Sequence, residues 1–140
     1  MNGEPAPTVH GEALRWLDKA EEDRRSARHL MSLVPPVPDV VGFHLQQAAE
    51  KMLKALLILV GHEVPKLHDL DVLIRLLEPV LVLPPVLMDA VRDLTPWAVA
   101  GRDPALGRYR GPSVEELVTA QDAVDRLAGF VAARLHAAPP

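Results

Sequence analysis

The residues best suited to chemistry lie in the stretch FHLQQAAEKMLKALLILVG, which runs from Phe43 to Gly61. Four polar side chains recur there at steps of three, four and three residues: His44, Gln47, Lys51 and Lys54. This spacing places them along one side of a helix. An imidazole, an amide and two ammonium groups are suited to phosphates and base edges. The same groups would equally suit a hydrogen-bonded polar layer or a dimer seam, so both interpretations stay open.

A second polar cluster follows at the start of the next predicted helix. It contains two basic and two acidic residues: Lys66, His68, Asp69 and Asp71. A metal site needs several well-placed ligands, whereas carboxylates at a helix start are explained by capping and by the helix dipole. We therefore predict no metal site here and keep Lys66 and His68 as candidate ligand-binding residues.

A third cluster lies in the glycine-punctuated segment GRDPALGRYRGP, residues 101–112, whose composition predicts a loop. Its candidate binding residues are Arg102, Arg108, Tyr109 and Arg110. Guanidinium groups match the geometry of phosphate oxygens, although a solvated loop is the simpler interpretation. If the loop folds over the start of the central helix, this cluster and the one on that helix would form a single site for an anionic ligand.

Composition and charge exclude several classes of protein. The chain has 140 residues, which suits one domain, and it contains no cysteine for disulfides, thiolate catalysis or thiolate metal sites. A formal net charge of -4 argues against non-specific coating of nucleic acid, which needs a basic surface. The strongest apolar run, Ala55 to Val60, is far shorter than the roughly 20 residues that span a bilayer. We expect a cytoplasmic protein with no membrane partner and no cofactor.

Hydrophobic periodicity predicts an all-α fold, because no stretch combines strict alternation with the turn residues of a sheet. We predict an up-and-down four-helix bundle whose third helix is interrupted, giving five helices if Pro96 divides it. The predicted helices are residues 12–33, 70–77, 86–100 and 114–135, with a central helix between Asp39 as N-cap and Gly61 as left-handed cap. The bundle domain would span 12–136, between a flexible arm, 1–11, and a tail, 137–140.

Arg24 interrupts the apolar stripe of the first helix. The stripe consists of Ala13, Leu17, Ala20, Ala27, Leu30, Met31 and Val34. The simplest interpretation is that the stem of Arg24 packs against this stripe while its head reaches the edge. The alternatives are an anion ligand and a contact with a second subunit.

The central stretch closely resembles the HEPN domain, the "higher eukaryotes and prokaryotes nucleotide-binding" family. The resemblance rests on Phe43-His44, the run QQAAEK from Gln46 to Lys51, Gly61, and the Lys-x-His-Asp-Leu step that begins at Lys66. It implies a bundle of four to five helices that is usually dimeric and often encoded beside a small nucleotidyltransferase. Several HEPN branches are metal-independent ribonucleases or toxins, which carry an arginine followed by a histidine about four to six residues later, near the start of the last long helix.

This chain departs from the ribonuclease pattern of the family. After Arg102, Arg108 and Arg110 the next histidine is His136, and a pair with suitable spacing, Arg24 and His29, lies on the first helix instead. The sequence therefore predicts a non-catalytic, homodimeric HEPN protein that binds nucleotide or RNA phosphates and acts with a small nucleotidyltransferase in a toxin-antitoxin-like module. Two alternatives stay open.

The first alternative is a divergent ribonuclease that brings Arg102 or Arg108 together with His44 or His68. The second is a purely structural dimeric protein whose polar side on the central helix forms the dimer seam. In the second case, the polar side chains would contact protein and not ligand.

Overall fold

Five α-helices and one short 3-10 helix make up the computed structural model, which describes residues 8–98 and 111–137. The α-helices are α1 (Val9–Leu30), α2 (Pro38–Leu59), α3 (Leu70–Leu77), α4 (Pro85–Arg92) and α5 (Val114–Ala137), and the 3-10 helix covers Thr95–Ala98. Within these ranges there is no strand, so the all-α prediction is confirmed. The predicted loop cluster at 102–110, most of the predicted arm and most of the predicted tail lie outside the described residues.

Helices α1 and α2 form an antiparallel pair. Trp16 of α1 lies against Lys54 of α2, whereas Asp23, two turns later in α1, contacts His44, near the start of α2. Each helix has 22 residues, about 33 Å at 1.5 Å per residue, so the two match along their whole length. The chain reverses between them through a proline-rich turn.

The ends of this pair differ from the sequence prediction. Helix α1 ends at Leu30. Val34, which was predicted to belong to the buried apolar stripe, is therefore beyond the helix and 95% exposed. Helix α2 begins at Pro38, because proline is favoured in a first turn, and its N-cap is Val37 with no side-chain hydrogen bond. The prediction that Asp39 is the N-cap is therefore wrong, and Asp39 lies in the first turn.

Helix α2 is the centre of the bundle and contacts α1, α3, α5 and the 3-10 helix. Its last five residues, Ala55 to Leu59, are apolar all round, and Ala55 to Ile58 are at most 5% exposed. The neighbouring helices of the same chain are therefore sufficient to bury this segment. Its first half approaches the 3-10 helix closely at Gly42, where an added Cβ would lie 3.1 Å from Pro112 and 3.3 Å from Trp97.

Helix α2 ends at the glycine that the sequence indicated. Gly61 has φ of +84°, and the backbone N–H groups of Gly61 and His62 donate to the carbonyls of Ile58 and Leu57. This pair of bonds satisfies carbonyls at the helix end and reverses the chain toward α3. Asp69 then caps α3 by accepting hydrogen bonds from the N–H groups of Asp71 and Val72.

Helices α4 and α5 complete the bundle. Pro96 falls within the 3-10 helix, and the segment predicted as one helix divides into α4 and the 3-10 helix. Helix α5 begins with a capping box: Ser113 Oγ accepts from the N–H of Glu116, while Glu116 Oε1 accepts from the N–H of Ser113.

Arg24 joins α1 to α5. Its guanidinium contacts Glu21 at 2.9 Å and Asp125 of α5 at 3.3 Å, and Arg28 also reaches Asp125. Gln121 donates a further hydrogen bond to the same carboxylate. The arginine that interrupts the apolar stripe is thus part of an ion-pair cluster between helices, a role that none of the sequence-based alternatives included.

We predict opposite effects of alanine at two glycines. Gly61→Ala should lower the free energy of unfolding by about 1 to 2 kcal/mol, because a Cβ is disfavoured in the left-handed region. Gly129→Ala, in α5 where an added Cβ meets nothing within 4 Å, should raise it by up to about 1 kcal/mol through helix propensity. Urea denaturation measures both, and equal shifts in the two variants would contradict this explanation.

We also predict a measurable coupling between Arg24 and Asp125. Arg24→Met and Asp125→Asn should each lower the free energy of unfolding. The double variant should be destabilised by about 0.5 to 1 kcal/mol less than the sum of the two single effects. The coupling should weaken at high salt, since both side chains are partly solvated. Strict additivity in a double-mutant cycle would show that the pair contributes nothing.

Candidate functional site

Two candidate residues on α2 meet at Asp23 of α1. His44 Nδ1 lies 2.9 Å from Asp23 Oδ1, and Lys51 Nζ donates to Asp23 Oδ2. The Asp23 side chain is 13% exposed, while those of His44 and Lys51 are about one-quarter exposed. The spacing on α2 correctly placed the histidine and the lysine on one side, but it gave no indication of the carboxylate between them.

A second carboxylate, Glu50, is the centre of a buried network. Lys54 Nζ donates to Glu50 Oε2 at 3.2 Å, and His68 Nδ1 lies 3.0 Å from Glu50 Oε1. Gln46 donates to Glu50 Oε1 and to the backbone carbonyl of His68. The ammonium of Lys54 also lies 5.6 Å from the centre of the Trp16 ring, a distance at which a cation is attracted to an aromatic face.

The network explains why three polar residues of α2 are buried. Gln46, Glu50 and Lys54 are at most 5% exposed, and a buried charge is tolerated only when it is paired and hydrogen-bonded. Lys54 is therefore not open to a ligand in this arrangement. The network also attaches the segment between α2 and α3 to the side of α2, because it holds both the ring and the carbonyl of His68.

The other candidate residues occupy different surroundings. Gln47 is half-buried and donates to the side chain of Gln46 at 2.8 Å. The side chain of His68 is 75% exposed although its Nδ1 faces Glu50, and Lys66 is exposed. The candidates Arg102, Arg108, Tyr109 and Arg110 lie outside the described residues.

An open cleft lies beside Lys51, at the surface of the α1–α2 pair. It has a volume of about 250 Å³ and is lined by Arg15, Trp16, Lys19 and Lys51. We call these four residues the basic cleft. Of these four residues the sequence indicated Lys51 alone, because the other three lie on a different helix. The one available signal was the recurrence of Arg15 and Lys19 one turn apart beside a tryptophan.

The basic cleft combines positive charge with an aromatic surface. Arg15 is exposed, Lys19 forms an exposed ion pair with Glu22, and Lys51 contacts Asp23. Exposed ion pairs of this kind are weak, so the lysine of that pair can exchange its carboxylate for another anion at little cost. The cleft is thus suited to an anion that also carries a flat apolar group.

Neither a metal centre nor a membrane span is found in the described part of the chain. No group of three or more histidine, aspartate or glutamate side chains there could hold a metal ion. None of the described helices is both long and apolar enough to cross a bilayer.

Comparison with known proteins assigns the family. The sequence model of the HEPN domain matches residues 13–134. The chain belongs to the HEPN family. This match covers all of the main helices except the ends of α1 and α5, so the resemblance seen in the central motif extends over the whole bundle.

Two solved structures share the fold of this bundle. The bundle is similar to TT1696 from Thermus thermophilus, with a TM-score of 0.75 and 26% identity over 88% of this chain and 98% of that one. It also shares its fold with ST0689, an archaeal HEPN homologue, with a TM-score of 0.66 and 23% identity over 88% of this chain and 97% of that one. No curated protein matches the sequence.

We predict that the two members of the buried Glu50–Lys54 pair contribute unequally to the free energy of unfolding. Glu50→Gln should destabilise the HEPN bundle by about 3 to 5 kcal/mol, because it leaves the Lys54 ammonium buried without a carboxylate. Lys54→Met should cost less, since Glu50 keeps its contacts with His68 and Gln46. The double variant should be more stable than Glu50→Gln alone.

Urea denaturation with matched substitutions tests this prediction. Lys66→Met serves as the control, because that side chain is exposed, and it should change stability by less than about 0.5 kcal/mol. If Glu50→Gln were as mild as this control, the network would not be structural.

Proposed function

We propose that this HEPN protein binds the phosphate groups of a nucleotide or of RNA in the basic cleft, without cleaving them. The observation that supports the proposal is the convergence of Arg15, Lys19 and Lys51 around Trp16. Guanidinium and ammonium groups attract phosphate oxygens, and an indole offers a stacking surface to any base. The ligand is thus expected to carry both a phosphate and a base.

Polar side chains of α2 outside the cleft offer further contacts on the α1–α2 pair. His44 lies seven residues before Lys51, about 10 Å along the helix axis, and both contact Asp23. A mononucleotide would occupy the cleft alone, whereas a short RNA would reach the partly exposed His44 and Gln47. This arrangement favours higher affinity for RNA than for a single nucleotide.

The non-catalytic part of the proposal rests on the sequence. HEPN ribonucleases are expected to carry an arginine and a histidine close together near the last long helix, and here the first histidine after Arg102 is His136. We further propose that the protein acts as a homodimer with a small nucleotidyltransferase, as the family resemblance implies. In such a toxin-antitoxin-like module the bound phosphate would be the feature that the two proteins recognise in common.

We predict that ATP and short RNA raise the melting temperature in a dose-dependent way. At a ligand concentration ten times the dissociation constant, mass action adds about 1.4 kcal/mol of stability. The variant Arg15→Gln/Lys19→Gln should weaken binding roughly tenfold while leaving the unliganded protein folded, because both side chains are exposed.

A matched control and a product analysis make the test decisive. Arg25→Gln/Arg126→Gln removes two exposed charges outside the cleft and should bind as the parent does. RNA recovered from the titration should be intact, and cleaved RNA would contradict the non-catalytic proposal. Absence of a shift with every ligand, or an equal loss in the control variant, would remove the cleft as the binding site.

A further inference from the structure

A larger groove lies on a different side of the bundle, between α4, the 3-10 helix and α5. It has a volume of about 610 Å³, and we call it the α4–α5 groove. Leu94, Trp97 and Ala120 contribute apolar surface to its lining and belong to the hydrophobic core. The groove is therefore a place where the core itself is close to solvent, and it shares no lining residue with the basic cleft.

The same groove carries three carboxylates: Asp93, Glu115 and Glu116. Glu116 is partly used by the capping box, where it accepts from the N–H of Ser113. Asp93 and Glu115 are exposed, and no basic side chain of the described residues lines the groove. The groove thus combines an apolar lining with a negative charge.

Exposed aliphatic side chains continue this surface beyond the groove. Val114 and Val118, one turn apart in the first turns of α5, are 55% and 56% exposed, and Val86 of α4 is 77% exposed. Adjacent apolar side chains beside a pocket are typical of sites that bind another protein. Isolated exposed valines would need no explanation, but these three belong to the two helices that border the groove.

We propose that the α4–α5 groove binds an amphipathic helix of a partner protein, with an apolar stripe flanked by lysine or arginine. The charge determines the class of partner, since three carboxylates repel nucleic acid and attract a basic segment. The secondary structure determines its form: the described residues offer helices and no strand edge, and a groove between helices accepts the apolar face of another helix.

The test uses a fluorescein-labelled helical peptide of about 20 residues, composed of leucine, alanine and lysine in an amphipathic pattern. Fluorescence anisotropy should show saturable binding that weakens as salt is added. A second peptide with glutamate in place of every lysine has the same apolar stripe and should not bind. Equal binding of the two peptides would overturn the proposal.

Charge variants with a matched control separate the groove from the general negative charge of the protein. Asp93→Asn/Glu115→Gln should weaken binding of the lysine peptide roughly fivefold to thirtyfold. Glu12→Gln/Asp18→Asn changes the net charge by the same amount on α1, away from the groove, and should leave the affinity unchanged. An equal loss in both double variants would overturn the proposal.

A steric variant tests the position of the peptide. Thr119 lines the groove, and Thr119→Arg places a bulky cation there, so it should abolish detectable binding. Ala133→Arg adds the same side chain at an exposed position near the other end of α5 and should have no effect. Binding that survives Thr119→Arg would place the peptide elsewhere and overturn the proposal.

Two further outcomes would assign the groove to this chain and not to a partner. In the first, sedimentation shows that the parent protein self-associates and that the Asp93→Asn/Glu115→Gln variant is monomeric. The groove would then be occupied by a second copy of this chain. In the second, the peptide binds only after Arg102, Arg108 and Arg110 are replaced by glutamine. The groove would then be occupied by the segment of this chain that contains these arginines. Either result would overturn the proposal.

Discussion

The structure depends on burying the polar side of α2 without leaving a charge unpaired. Helix α2 contacts α1, α3, α5 and the 3-10 helix, and its polar side chains contact α1 and the segment before α3. Two carboxylates solve the problem, because Asp23 contacts two cationic or imidazole groups and Glu50 contacts two others. Loss of Glu50 would leave the buried Lys54 ammonium without compensation, and loss of Asp23 would remove the carboxylate that holds Lys51 and His44 against α1.

This internal pairing changes how the HEPN motif is interpreted. The polar residues between His44 and Lys54 have the composition of a ligand site, yet Gln46, Glu50 and Lys54 hold one another and the loop after α2 in place. Lys51 differs because it contacts Asp23 and also lines an open cleft. The motif therefore stabilises the fold along most of its length, and its proposed part in binding is limited to Lys51 in the basic cleft and to the partly exposed His44 and Gln47.

Local signals made much of the fold predictable, and long-range contacts account for what was missed. The bounds of α3, the capping box at Ser113 and the left-handed cap at Gly61 follow from residues within a few positions of one another. The ion pair of Arg24 with Asp125 joins residues 101 positions apart, so no local pattern indicates it. The basic cleft was missed for the same reason, since helical spacing groups residues of one helix but not those of its neighbour.

The close approach at Gly42 has a consequence for how this family can vary. Trp97 and Pro112 both lie within reach of a single Cβ position on α2, so the two ends of the intervening sequence are fixed at one point of the scaffold. Loop closure between fixed ends depends weakly on length, at about 0.6 kcal/mol for each doubling. Changes of length between these two ends therefore cost little in closure entropy, whereas position 111 requires glycine, because its φ is +69° and a Cβ there would collide with Asp39 Oδ1. The cost of such changes is therefore concentrated at the ends of the segment, where Trp97 and Pro112 pack against Gly42 and where Gly111 lies against Asp39.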